Sequence, residues 1–181
     1  DKLIIFAEDD STIFYFKEPV YDARTSEIPQ IATSLRNQRI ALLNWTPKTD
    51  IIMEKLCSYL PAGSELCTYV SEINGEMDAI KANLSEVNPG LNISINQMDF
   101  NDLNKLHDID PQSFDSLLIL SPGGATIEEM DAFVISLLIR IRQILRNSGS
   151  SQWPKLITEV MDSENIDIIL NSGVKDFMVS N

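Results

Sequence analysis

Arg39-Ile40-Ala41-Leu42-Leu43-Asn44-Trp45-Thr46-Pro47-Lys48-Thr49-Asp50 is the stretch on which the fold turns. Ile40 to Leu43 is a short continuous apolar run, the mark of a strand covered on both faces. Pro47-Lys48-Thr49-Asp50 then leads into Ile51, Ile52, Leu56 and Leu60 at helical spacing. A buried strand that runs straight into a helix is half of a crossover unit, and what repeats downstream decides the architecture.

The alternation does repeat. Pro61-Ala62-Gly63-Ser64 stops the first helix, and Glu65 to Val70 reads as a second strand. A polar helix with Met77, Ile80 and Leu84 ends on Asn88-Pro89-Gly90, and Leu91 to Ile95 alternates as a third strand. Asp99 to His107 can make a short helix. Leu117 to Leu120 is another buried strand, followed by Pro122-Gly123-Gly124 and a long helix from about Ile127 to Arg146. After the surface loop Asn147 to Ser151, Lys155 to Met161 is a fifth strand, Ser163 to Asn171 a short helix, and Asp176 to Ser180 a sixth strand. This pattern predicts an α/β fold: a Rossmann-like, doubly wound, mainly parallel six-stranded sheet with helices on both faces. Ligands of such folds sit at the carboxyl ends of the strands, near the switch in strand order.

Upstream, Lys2 to Ala7 reads as a strand ending on Glu8-Asp9-Asp10-Ser11-Thr12. Residues 13–38 show no clean period and contain the breakers Pro19 and Pro29, so they read as a linker or irregular structure. A chain that opens in mid-strand is expected to be a piece of a longer protein.

With 181 residues and 44% hydrophobic content the chain can bury a proper core. Its apolar runs fall short of the roughly 18 residues of a membrane span, because Ala132 to Leu145 is broken by Ser136, Arg140, Arg142 and Gln143. Direct membrane insertion of this piece is therefore not expected. The net charge of −13 repels phosphate backbones and anionic headgroups, which disfavours nucleic-acid partners. Cys57 and Cys67 have neither zinc spacing nor a CxxC motif and read as reduced thiols.

The carboxyl end of the first strand decides whether a dinucleotide can bind. A GxGxxG turn lets backbone amides approach a pyrophosphate closely. Here Asn44, Trp45 and Thr46 stand instead, Trp45 is bulky, and Pro47 removes a donor, so dehydrogenase-type NAD binding is not expected. The second strand ends on Ser71-Glu72, where a ribose-binding acid would stand. The fourth ends on Ser121 followed by Pro122, Gly123 and Gly124, which either admit a ligand or simply shape the turn. Asn44, Trp45, Thr46, Glu72, Pro122, Gly123 and Gly124 are thus the candidate ligand residues. No catalytic constellation accompanies them. His107, the single histidine, closes a short polar helix as a surface cap would, and no GxSxG elbow, P-loop or HExxH is present. Glu128-Glu129 opens the long helix, where the acids complement the macrodipole. The expectation is a protein that is not an enzyme.

Two acidic groups are candidates for calcium or another cation: Glu8, Asp9 and Asp10 on consecutive residues, and Glu159 with Asp162 at the end of the fifth strand. Calcium takes several oxygen ligands from more than one segment, and neither group alone forms a recognised loop, so a solvated turn is the favoured reading of each and metal binding stays open. The long helix is more telling. Phe133, Val134, Ile135, Leu137, Leu138, Ile139, Ile141, Ile144 and Leu145 run nearly all the way round it, whereas a helix on one sheet face needs only a stripe. Either a partner or the N-terminal segment covers the surplus. For a partner, Val134, Leu138, Ile141 and Leu145 are the candidate contacts, and a charge at Leu138 or Ile141 should disturb association.

Several of these segments together resemble one family. Lys2 to Thr12, with its Glu8-Asp9-Asp10, is similar to a strand of the CASTOR/POLLUX ion channels. Arg39 to Trp45 falls where those channels have an apolar strand ending in Gly-Trp, and Leu60-Pro61-Ala62-Gly63-Ser64-Glu65-Leu66 resembles their Leu-Ala-Pro-Gly-Ser-Glu-Leu turn. Ser113 to Leu120, Ile157 to Asp162 and Asp176 to Asn181 match their later strands. Asn44 replaces the family's glycine, and Thr46-Pro47-Lys48 replaces a basic arginine pair, so contacts made by those arginines do not carry over. The resemblance implies a cytosolic RCK (TrkA-N-like) regulatory domain at the cytoplasmic face of a membrane. Such a domain self-associates into a gating ring and couples ligand or ion binding to the pore domain of the same channel. On that reading residues 1–12 end a preceding RCK unit, 13–38 link, and 39–181 form the Rossmann-like part of the next. A soluble TrkA-like transporter subunit and an atypical nucleotide-binding Rossmann enzyme are the competing readings.

Overall fold

The computed structural model describes residues 36–123, 126–150 and 152–171 and the backbone of residues 176–179. The strand expected over residues 2–7, the acids Glu8, Asp9 and Asp10, nearly all of the expected linker, and Gly124 lie outside them. Residues 35–181 form a unit separate from residues 1–34.

Strand β1 (Arg39–Leu43) shows why the opening stretch decides the fold. Ile40 and Leu42 enter one hydrophobic cluster with Met53 and Cys57, while Ala41 and Leu43 enter another with Leu138 and Ile141. Both faces of the strand are covered, so period-two alternation between polar and apolar residues has nothing to select. Strands β2 (Glu65–Val70), β3 (Asn92–Gln97), β4 (Ser116–Ile119), β5 (Lys155–Val160) and β6 (Asp176–Val179) complete a sheet in the order β3-β2-β1-β4-β5-β6. Every pairing is parallel. Helices α1 (Thr49–Tyr59) and α2 (Gly75–Val87) supply Met53, Cys57 and Leu84 to one face. Helices α3 (Leu103–Asp108), α4 (Ile127–Asn147) and α5 (Ile166–Asn171) supply Leu106, Leu138 and Ile169 to the other. The Rossmann-like, doubly wound architecture follows, with the order reversing between β1 and β4.

Local chemistry sets the element ends. The Leu60 to Leu66 turn needs its glycine: Gly63 has φ 87°, and a Cβ there would lie 2.5 Å from the Asn37 amide nitrogen. Helix α3 starts at Leu103, not Asp99, because Asp99 accepts from the Asn101 N–H and Asp102 from the Asn104 N–H. These carboxylates stabilise a turn and a cap in place of a first helical turn. The stretch expected as one helix after β5 divides into a 3-10 turn at Ser163–Asn165, capped by Asp162, and α5. Helix α4 opens with a reciprocal capping box in which Thr126 accepts from the Glu129 N–H and the Glu129 carboxylate accepts from the Thr126 N–H.

The surplus of apolar residues on α4 resolves into two faces. Val134, Leu138, Ile141 and Leu145, expected as assembly contacts, are each 0% exposed and belong to the core. Their spacing of four, three and four residues is the stripe that faces the chain's own sheet. Away from it, Ile139 is 53% exposed and Ile135 half-buried. Among the described residues no helix is long and apolar enough to cross a membrane.

Candidate functional site at the strand-order switch

Above the carboxyl ends of β1, β4 and β5 lies a cavity of about 170 Å³. Thr46, Pro47, Lys48, Ser121, Pro122, Gly123, Met130, Glu159 and Met161 line it. Four of the sequence candidates, Thr46, Pro122, Gly123 and Glu159, therefore meet in one place. They meet because parallel strands deliver all their carboxyl ends to one edge and the order reverses there.

Asn44, at the end of β1, does not line this cavity. Its φ of 82° lies in the left-handed region, where asparagine is the side chain that substitutes best for glycine. Its N–H donates to the Tyr69 carbonyl at 2.9 Å, and its Nδ2 donates to the Leu120 carbonyl at 3.5 Å. The carboxamide thus bridges β1 to the end of β4. Trp45 packs half-buried against the α1 side of the core, and Glu72 is exposed beyond β2. Neither faces the cavity.

At the start of α1 the backbone amides are engaged locally. Pro47 has no N–H, the Lys48 N–H donates to Thr46 Oγ1 at 3.1 Å, and the Thr49 N–H donates to the Thr46 carbonyl at 3.0 Å. The Ile51 N–H donates to the Asp50 carboxylate at 2.8 Å. The amides of Lys48, Thr49 and Ile51, among those that would hold a pyrophosphate at a helix N-terminus, are thus taken by local acceptors.

Two buried carboxylates stand near one another in sequence logic but differ in their partners. Asp131, on the inner face of α4 and 1% exposed, accepts three bonds: from the Met161 N–H at 2.8 Å, the Asp162 N–H at 3.0 Å and Asn165 Nδ2 at 2.8 Å. It ties α4 to the segment leaving β5. Glu159, 6% exposed, accepts from the Ser121 N–H at 2.9 Å through Oε2, while the Lys48 ammonium stands 3.5 Å from Oε1. Ser121 Oγ is buried with no hydrogen-bond partner among the described residues, as is Thr158 Oγ1.

The pairing of Glu159 with Asp162 as cation ligands does not form. Asp162 turns to the Glu164 N–H at 2.9 Å and stays outside the cavity. Among the described residues no three carboxylate, thiolate or imidazole groups gather as a metal site. His107 is exposed in the last turn of α3. Burial pushes the Cys57 thiol up and, with the neighbouring Cys67 and Glu65, the Tyr69 phenol as well, so neither group is primed to lose its proton.

Sequence reasoning missed Asp131, Lys48, Ser121, Met130 and Met161. Asp131 carried a signal: it lies three and seven residues before Val134 and Leu138, in phase with the buried stripe, where an unpaired acid would be costly. The others carried none, since only the register of three strands brings them together.

No family model matches the chain. Along its whole length it is 25% identical to a probable ion channel of Pisum sativum, SYM8, and 25% identical to the Medicago truncatula ion channel DMI1. It spans 24% of the length of each. Among solved structures, GsuK bound to ADP superposes with a TM-score of 0.53 at 14% identity, over 80% of this chain and 31% of that one. A Serratia marcescens short-chain dehydrogenase/reductase gives 0.51 at 13% identity, over 71% and 57%. Lactate dehydrogenase of Eimeria maxima gives 0.50 at 11% identity, over 77% and 41%. At such identities the three share the Rossmann-like fold. The segments quoted above and the full-length match to SYM8 and DMI1 agree: over its whole length this chain resembles the CASTOR/POLLUX-type ion channels.

Proposed function

We propose that the chain is a regulatory domain of a cation channel, positioned at the cytoplasmic face of a membrane, and that ligand occupancy of its switch-point crevice biases the pore. The observation that carries this reading is the likeness to two ion channels along the entire chain. The crevice supports it: a small cavity at the usual place for an α/β fold, with Asn44 and locally bonded amides at Lys48, Thr49 and Ile51 where a dehydrogenase holds its cofactor. The domain works by binding and is not an enzyme.

The reading is tested by recording currents in planar bilayers from the full-length protein that carries this chain, with and without residues 39–181. The expected outcome is a cation conductance whose open probability changes on deletion. A conductance indifferent to the deletion, or none in the intact protein, would count against it. Calorimetry with NADH separates the enzyme reading: micromolar or tighter binding would favour an oxidoreductase.

Self-association, the other property expected of a gating ring, would use the outward side of α4, with Ile139 at its centre. Ile139→Asp should shift sedimentation toward monomer and leave the circular dichroism unchanged. Leu138→Ala should instead lower stability by about 2–5 kcal/mol, because it empties a core site.

A further inference from the structure

We propose that the switch-point cavity takes a small organic cation, a primary ammonium or guanidinium on a compact apolar body, which displaces Lys48 from Glu159. The proposal rests on the reading of the crevice as the ligand site, and adds the chemistry of the ligand.

Glu159 is a buried carboxylate at the cavity wall with spare capacity. A carboxylate offers about four acceptor positions. One is filled by the Ser121 N–H at 2.9 Å, and the Lys48 ammonium stands off at 3.5 Å on a side chain that is 54% exposed. Ser121, 4% exposed and also on the wall, keeps a buried hydroxyl oxygen with no partner among the described residues. Buried polar atoms are nearly always hydrogen-bonded, and the Ser121 hydroxyl, closed off from the cavity itself, leaves the wall beside Glu159 short of partners. An N–H-bearing cation supplies donors to the open positions of Glu159.

The rest of the wall selects the body of the ligand. Pro47, Pro122, Met130 and Met161 are apolar, and the two thioethers adapt to the shape of what they touch. A dry cavity of about 150 Å³ accommodates a benzene-sized molecule, so the 170 Å³ here fits a single ring or a short alkyl chain and not a nucleotide. An anion meets Glu159 with no free amides at Lys48, Thr49 or Ile51 to receive it. A bare calcium ion would lack its six or more oxygens. The overall charge of −13 raises the local concentration of cations.

The test uses the whole chain with its methionine methyl groups labelled with carbon-13, titrated with cyclohexylammonium, cyclohexanol and cyclohexanecarboxylate. The ammonium should give saturable shifts of the Met130 and Met161 methyls, the alcohol should bind about tenfold more weakly, and the carboxylate should not bind. Glu159→Gln should weaken ammonium binding about tenfold, and Lys48→Met, which removes the competitor and leaves Glu159 in place, should strengthen it several-fold. Equal binding of alcohol and ammonium, preference for the carboxylate, no shifts at either methyl, or a Lys48→Met variant that binds no better would overturn the proposal. These readouts involve no current. A channel whose gating depends on residues 39–181 but whose cavity ignores amines would sink this inference alone, and amine binding without a conductance would sink the channel reading alone.

Discussion

The inner face of α4 and the carboxyl end of β5 each bury one acid, and the two acids live differently. Asp131 has three donors, all from the segment that follows β5, and does not line the cavity. Glu159 has one backbone donor, an ion pair to the half-exposed Lys48 at 3.5 Å, and a place on the cavity wall. Burial alone therefore does not mark a functional carboxylate. What separates them is saturation: a fully partnered acid is a clamp, and a partly partnered acid on a cavity wall is a receptor waiting for donors.

That contrast can be broken by substitution. Asp131→Ala should have the largest effect, since it strands the Met161 and Asp162 amides and the Asn165 side chain together. A loss of about 2–4 kcal/mol in urea unfolding is expected. Glu159→Ala strands the single Ser121 N–H, and should cost about 1–2 kcal/mol, less than its counterpart. If the order were reversed, saturation would not be the distinguishing property. Asn44 sharpens the picture from the seam between β1 and β4. Asn44→Ala, which keeps a Cβ at φ 82° but loses the carboxamide, should cost about 1–2 kcal/mol, whereas Asn44→Gly should stay within about 1 kcal/mol of the parent. Smallest of all, Lys48→Ala should change stability by no more than about 0.5 kcal/mol, because its half-exposed side chain is screened by solvent.

Much of this fold was legible in the sequence because buried parallel strands announce themselves as unbroken apolar runs. Ile40 to Leu43 and Leu117 to Leu120 needed no tertiary information, and neither did the long helix that follows the Pro122-Gly123 turn. Boundaries were less legible where short polar side chains compete with the helix: Asp99 and Asp102 delay α3 through bonds that a periodicity count does not weigh. Which side of α4 faces in was misread. Val134, Leu138, Ile141 and Leu145 and the exposed Ile139 are chemically alike, and only packing against β1 and β4 tells them apart. The crevice was found in place but not in membership. Thr46, Pro122, Gly123 and Glu159 sit at strand ends, where topology alone puts them on the list. Met130 and Met161 reach the same cavity from α4 and the end of β5, a meeting that depends on register. Asn44 was noted as a departure from glycine, but its bond to Leu120 depends on a backbone angle that composition does not disclose.

The seam between β1 and β4 has a consequence for how the chain acquires its shape. Strands β1 to β3 pair with near neighbours in sequence, whereas the partners across the seam, such as Asn44 and Leu120, stand 76 residues apart. Closing so long a stretch costs entropy before any contact offsets it, so this pairing should be the slow event in folding. Until it occurs there is no crevice, because the cavity draws one wall from each half. A molecule lodged there would act as a latch on a late-forming joint: it would slow the parting of the two halves while leaving the speed at which each half assembles unchanged.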